Sequence, residues 1–193
     1  TYHDADFVDY SLILFDSNVQ HSLFTSEYNN RRIECDEGLR IINDNYPEIN
    51  SFRDCNEELL IGLKSKMTDN VFRRSLYAVK EIKRVIEACA ALDKGDIETL
   101  GKLMFETHDG LSKDYEVSCA ELDYLVDLAK AEEDVIGSRL MGGGFGGCTI
   151  NLVKKGSEDN IKEKFTKLYA EHFKIDLITY DVKVSNGTSL YKN

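Results

Sequence analysis

The run Gly142-Gly143-Gly144-Phe145-Gly146-Gly147 gathers five of the chain's 13 glycines into six positions. It leads directly into Cys148-Thr149-Ile150-Asn151-Leu152-Val153, an apolar strand pattern. Glycine loses more conformational freedom on folding than any other residue, so a run of this kind marks a backbone that must turn sharply or come close to something. Two roles compete for it. Amides freed of side chains can converge on an anion, or let a flat ligand lie against the main chain; alternatively the run is a turn between two elements. Gly142, Gly144 and Gly147 satisfy G-x-G-x-x-G, but the dinucleotide fingerprint needs a strand before the glycines and a helix after them. Here the pattern reads as an amphipathic helix ending near Gly137, with a β-rich run behind the loop. Cys148-Thr149 stands where a Walker loop needs Lys followed by Ser or Thr. The V-A-I-K, H-R-D and D-F-G stretches that accompany a protein-kinase glycine loop are not in the sequence.

At 193 residues, with 42% hydrophobic and 31% charged residues, the chain has the balance of one ordinary globular domain. No apolar stretch approaches the roughly 18 residues that cross a bilayer. The formal net charge of −11 disfavours nucleic acid and anionic lipid, so neither nucleic acid nor membrane is expected as a partner. A bound nucleotide remains compatible with that charge, because screening weakens remote charges beyond roughly 8 to 10 Å. Cys35, Cys55, Cys89, Cys119 and Cys148 are odd in number and form no CxxC pair, which points to free thiols and a cytoplasmic location. His3, His21, His108 and His172 are scattered without ligand spacing, so no metal site is expected from them. Asn186-Gly187-Thr188 reads as a turn. Thr1 opens the chain without a methionine, and the sequence reads as an excerpt of a longer protein.

Along the chain, Tyr10 to Asp16 suits a buried strand and Ser17 to Thr25 a polar loop. Tyr28, Cys35, Leu39, Ile42 and Tyr46 mark one face of a helix that Pro47 ends. Thr68 or Asp69 caps a longer helix striped by Phe72, Leu76, Val79, Ile82, Ile86 and Cys89, with Gly95 placed to stop it. Asp96 caps the next helix, and Ser118 with Glu121 forms a capping box for another on Leu122, Leu125, Val126 and Ala129. Thr149 to Val153 reads as a strand, Ser157 opens a helix through Ile161, Phe165, Leu168 and Tyr169, and Ile178 to Val184 alternates as a half-buried strand. The layout predicts an α+β fold, an antiparallel sheet with helices packed on one face.

Three separated stretches carry a family likeness. Gly137-Ser138-Arg139-Leu140-Met141 with the glycine run and Cys148-Thr149 resembles the third conserved motif of galactokinases, within the superfamily of galacto-, homoserine, mevalonate and phosphomevalonate kinases. Asn18-Val19-Gln20-His21-Ser22-Leu23 with Ser26-Glu27-Tyr28-Asn29 and Arg31-Arg32 resembles the segment that opens the second half of those enzymes. Tyr115-Glu116-Val117-Ser118-Cys119 with Glu121-Leu122-Asp123 is similar to a third family stretch.

The likeness implies that residues 1–193 are the ferredoxin-like carboxy-terminal domain of an ATP-dependent kinase acting on the anomeric hydroxyl of galactose. Its partners would be galactose, ATP and its own amino-terminal domain, with ATP and magnesium held mostly by that other half. By the motif, Tyr28 contacts the sugar, as its flat ring and phenol allow, and Gly144 lies where the loop backbone approaches it. The bland reading of Tyr28 is core packing on its helix stripe. Arg31 and Arg32 could meet a phosphate or a buried carboxylate, and for at least one a structural ion pair is the better reading. Cys148 reads as a packing residue, since no base beside it is indicated. No catalytic residue is assigned. The family's phosphate loop, acidic sugar cluster and catalytic Asp and Arg have no counterpart here, and Gly110-Leu111-Ser112-Lys113, read as lying between helices, only echoes that loop. The piece alone is therefore expected to be inactive. The rival readings are a galactose- and ATP-binding regulatory sensor and a related kinase for another small sugar or alcohol.

Overall fold

The computed structural model describes residues 3, 5, 7–20 and 24–185. Its elements run β1 (Tyr10–Gln20), α1 (Phe24–Asn45), α2 (Glu57–Leu63), α3 (Asp69–Asp93), α4 (Ile97–Lys113), α5 (Ala120–Lys130), β2 (Val135–Leu140), β3 (Gly146–Lys154), α6 (Glu158–Phe173) and β4 (Ile178–Val182), with short 3-10 turns at Phe52–Asp54 and Lys64–Lys66. The four strands form one antiparallel sheet in the order β2-β3-β1-β4. The α+β expectation holds. The sequon at Asn186 and the His21-Ser22-Leu23 part of the upstream motif lie outside the described residues.

One face of the sheet carries the main core. Alternate residues of a strand point to one side, so Ile13 and Phe15 of β1 join Val153 of β3 there. Leu125 and Ala129 of α5 and Ile161, Phe165 and Tyr169 of α6 close over them. The Phe15 and Phe165 rings lie 5.1 Å apart, centroid to centroid. A second cluster of Ile42, Ile49, Leu60, Leu63 and Val79 ties α1, α2 and α3 together. Between the two, α4 borders β2: a Cβ on Gly137 would fall 2.5 Å from the Gly101 Cα, so the two backbones pack in direct contact.

Caps and stops fall largely where local chemistry sets them. Thr68 accepts the Val71 amide at 3.3 Å, Asp96 accepts the Thr99 amide at 3.0 Å, and Gly95 takes φ +67 between α3 and α4. Other boundaries differ from expectation. β1 continues to Gln20, into the region read as a loop from Ser17, because its backbone still pairs at Gln20 with Gly146; the extra length is absorbed by a register shift with Asn18 at φ 53. The helix read as reaching Gly137 ends at Lys130, and β2 takes its place, paired with β3 from Val135 to Leu140. Cys119, not Ser118, caps α5. Gly110 to Lys113 lies in the last turn of α4, not between helices.

Two apolar stripes are also rotated. On α1 the buried positions are Arg31, Gly38, Ile41 and Ile42, while Tyr28 and Tyr46 face out. On α3, Ile86 is exposed, and Val71, Arg74, Ser75 and Tyr77 are buried because α1 and α4 flank the helix on different sides. On the edge strand β4, Ile178 and Tyr180 are exposed despite their alternation.

Candidate functional site

The glycine run is the loop of the β2-β3 hairpin. The Met141 amide donates to the Cys148 carbonyl at 2.9 Å across its base. Gly142, Gly144, Phe145, Gly146 and Gly147 take φ of 86, 83, 57, 124 and 79, five residues on the left-handed side within six. The hairpin base is anchored from below: Ser17 Oγ donates to the Gly147 carbonyl at 2.9 Å, and the buried Tyr169 hydroxyl donates to the Ser17 carbonyl at 2.8 Å. Burial first, and then the Asp16 carboxylate, push the Cys148 thiol up, the opposite of what a nucleophile needs.

The loop docks on the turn that follows α4. The Phe145 amide donates to the Val117 carbonyl at 2.6 Å. A Cβ on Gly144 would lie 2.0 Å from that same oxygen, so only glycine permits this approach. Arginines hold the turn from behind. Arg31 Nε donates to the Tyr115 carbonyl at 2.9 Å and its Nη2 to the Glu116 carbonyl at 3.3 Å. The fully buried Arg74 donates to the Asp114 carbonyl and pairs with Glu34 at 3.2 Å and Glu116 at 2.5 Å, while Arg73 meets the other Glu116 oxygen at 2.7 Å. Burial works to raise the Glu116 carboxyl, but the Arg74 hydrogen bond and the charges of Arg74, Arg73 and Arg31 outweigh it and hold the group below its ordinary value.

Tyr28 stands one helical turn before Arg31 and is 39% exposed, so it lies off the buried side of α1. Tyr28 is therefore not among the buried core residues. The Tyr115 phenol, 3.8 Å from the Cys35 sulfur, is pushed far up by burial first and then by Cys35, with Tyr28 adding in the same direction. Arg31, one turn after Tyr28, and the glycine loop thus meet on one short segment, Tyr115 to Val117. Of the two adjacent arginines, Arg31 is the buried, ion-paired one and Arg32 is exposed. Arg74 and Glu116 were not legible as partners from the sequence, although Glu116 lies in one of the quoted motifs.

The near end of β2 is fixed by a histidine. The Leu140 amide donates to His108 Nδ1 at 3.2 Å, so the proton of the neutral ring is on Nε2, which faces Asp123 Oδ1 at 3.1 Å. Ser112 Oγ donates to the other Asp123 oxygen at 2.9 Å. Burial alone would raise the Asp123 carboxyl; the hydrogen bonds from His108 and Ser112 outweigh it and hold the group below its ordinary value. His108 is thus a structural residue, and His172 stacks on Tyr124 at 4.4 Å.

Among the described residues no cluster of three or more His, Cys, Asp or Glu is arranged to hold a metal ion. Glu34, Glu116 and Asp123 are committed to arginine or histidine partners and Asp16 Oδ1 accepts the Asn18 amide, so these four do not together form a magnesium site.

Residues 85–171 match the family model of the GHMP kinases C terminal domain. Residues 85–171 thus carry a GHMP kinases C terminal domain, which includes β2, β3 and the glycine hairpin between them. Within that class its likeness is to galactokinases. It is 42% identical over 178 residues to the galactokinase of Thermotoga neapolitana, covering 92% of this chain and 48% of that protein. With the galactokinase of Bos taurus it shares 40% identity over 159 residues, 82% of this chain and 39% of the relative. The crystal structure of Lactococcus lactis galactokinase complexed with galactose superposes with a TM-score of 0.89 at 27% identity, covering 96% of this chain and 48% of that one. The mevalonate kinase of L. major shares the fold, with a TM-score of 0.58 at 20% identity over 95% of this chain and 45% of that one. The chain spans about half the length of the curated relatives it matches, their carboxy-terminal half.

Proposed function

We propose that the protein bearing this chain is a galactokinase, transferring the terminal phosphoryl group of ATP to the anomeric hydroxyl of galactose, and that residues 1–193 are its carboxy-terminal domain. In this reading the chain forms one wall of the sugar site. Tyr28 offers a ring face and a phenol to the hexose, and the backbone around Gly144 comes within hydrogen-bond reach of it. Phosphoryl transfer is mostly positioning and charge stabilisation, and ATP and magnesium are assigned mainly to the amino-terminal half; the cytoplasm is the proposed location, on the strength of five free thiols.

The observation that carries the proposal is that Arg31, one turn after the exposed Tyr28 on α1, and the glycine hairpin both bond the same segment, Tyr115 to Val117. Support comes from the 0.89 superposition on an enzyme crystallised with galactose. A coupled kinase assay of the full-length protein against a panel of hexoses tests it, with galactose expected as the preferred acceptor. Preference for another sugar or alcohol selects the related-kinase reading, and galactose and ATP binding without turnover selects the sensor. Turnover by the 193-residue chain alone would overturn the claim that it supplies one wall only.

A further inference from the structure

We propose that Arg74 and Glu116 are positioning residues: their ion pair, between a fully buried guanidinium and a partly exposed carboxylate and joined by Arg31, fixes the Tyr115–Val117 strap and so sets the glycine loop relative to the helix that carries Tyr28. The inference rests on the galactokinase reading for its consequence in catalysis and on geometry alone for the strap itself.

Arg74 cannot touch a ligand, since its side chain is 0% exposed. A buried cation is retained only when its donors are met, and here each guanidinium nitrogen has a different target. Nε meets Glu34 on α1, Nη1 the Asp114 carbonyl, and Nη2 the Glu116 carboxylate. One side chain of α3 thereby joins the helix that carries Tyr28 to the turn that carries the loop.

Glu116 holds the other half of the device. It takes φ 53, which a non-glycine residue keeps only when its surroundings over-determine it. Those surroundings are Arg73 and Arg74 on its two carboxylate oxygens and Arg31 on its carbonyl. The next residue is Val117, whose carbonyl receives the Phe145 amide and closes the space over Gly144. If Glu116 relaxed to an ordinary φ, the Val117 carbonyl would swing away from the loop.

The test substitutes Glu116→Gln in the full-length protein, which keeps side-chain shape and removes the charge. Arg73→Gln, at a side chain 39% exposed, is the milder second variant. Ile49→Val, in the α1-α2-α3 cluster away from the strap, controls for general destabilisation. Losing a charge-assisted bond should speed hydrogen exchange of the Phe145 amide and raise the galactose KM by about tenfold, with kcat and the ATP KM within about twofold. Arg73→Gln should shift both quantities in the same direction by less, and Ile49→Val should move neither. Unchanged Phe145 exchange in both strap variants overturns the proposal, and so does a joint fall in kcat and in both affinities matching that of Ile49→Val. Should the unmodified protein not phosphorylate galactose, the galactokinase reading fails, while faster Phe145 exchange in Glu116→Gln still supports the strap.

Discussion

Gly142, Gly144 and Gly147 have nearly the same left-handed φ, at 86, 83 and 79, but only Gly144 has a neighbour where a Cβ would go. Alanine at the other two meets open space and costs only the left-handed backbone, about 1 to 2 kcal/mol. Alanine at 144 adds a Cβ at 2.0 Å from the Val117 oxygen, so loop and strap must separate. The 2.6 Å bond from Phe145 to Val117 is then stretched or lost, which adds about 1 to 3 kcal/mol at a buried acceptor. Gly144→Ala should therefore destabilise by about 2 to 5 kcal/mol, against about 1 to 2 for Gly142→Ala and Gly147→Ala. Urea denaturation followed by circular dichroism reads the difference as a lower midpoint at unchanged slope. Equal losses at all three positions would refute the reasoning, because they would show that backbone conformation alone, and not contact with the strap, fixes glycine at 144.

Arg31→Met should cost about 2 to 4 kcal/mol by stranding the Tyr115 and Glu116 carbonyls, whereas Arg32→Met, on an exposed side chain, should stay within about 0.5; the same denaturation assay compares them. Tyr169→Phe should cost about 1 to 2 kcal/mol, because it leaves the buried Ser17 carbonyl without its donor, and a melting curve reads it. For Asp123 the folded carboxyl lies below its ordinary 3.8, so the unfolded chain binds the proton first. Its stabilisation is present above 3.8 and is lost as pH falls through the lower folded value. Asp123→Asn should therefore flatten the acid limb of a stability-pH profile below about pH 4, and an unchanged limb would count against the His108–Asp123 pairing.

The strong periodicities and caps were legible. Thr68, Asp96 and Gly95 mark helix boundaries by local chemistry, and the core side of β1 and α6 follows from alternation and i, i+4 spacing. What stayed hidden depended on partners far along the chain. β1 is longer than its apolar run because Gly146, more than a hundred residues later, offers backbone pairing at Gln20. Tyr28 and Ile42 share a spacing, yet Tyr28 faces solvent, because the buried side of α1 is set by Gly38 packing on Ser75 of α3. Arg74 takes its role only from Glu34 and Glu116, which arrive from two other segments. The family likeness pointed to Tyr28 and Gly144 but did not show the arginine-held turn on which the glycine loop docks.

The sheet also sets a timetable for folding. β1 is an interior strand whose two neighbours come late: Ile13 lies opposite Asn151 on one side and Asp181 on the other. Pairings so distant in sequence carry a large loop-closure cost and slow the search for the native topology. During synthesis the helices from α1 to α5 emerge and pack while β1 has nothing to pair with, so its apolar residues remain available to chaperones, or to another nascent chain, until the glycine hairpin has left the ribosome.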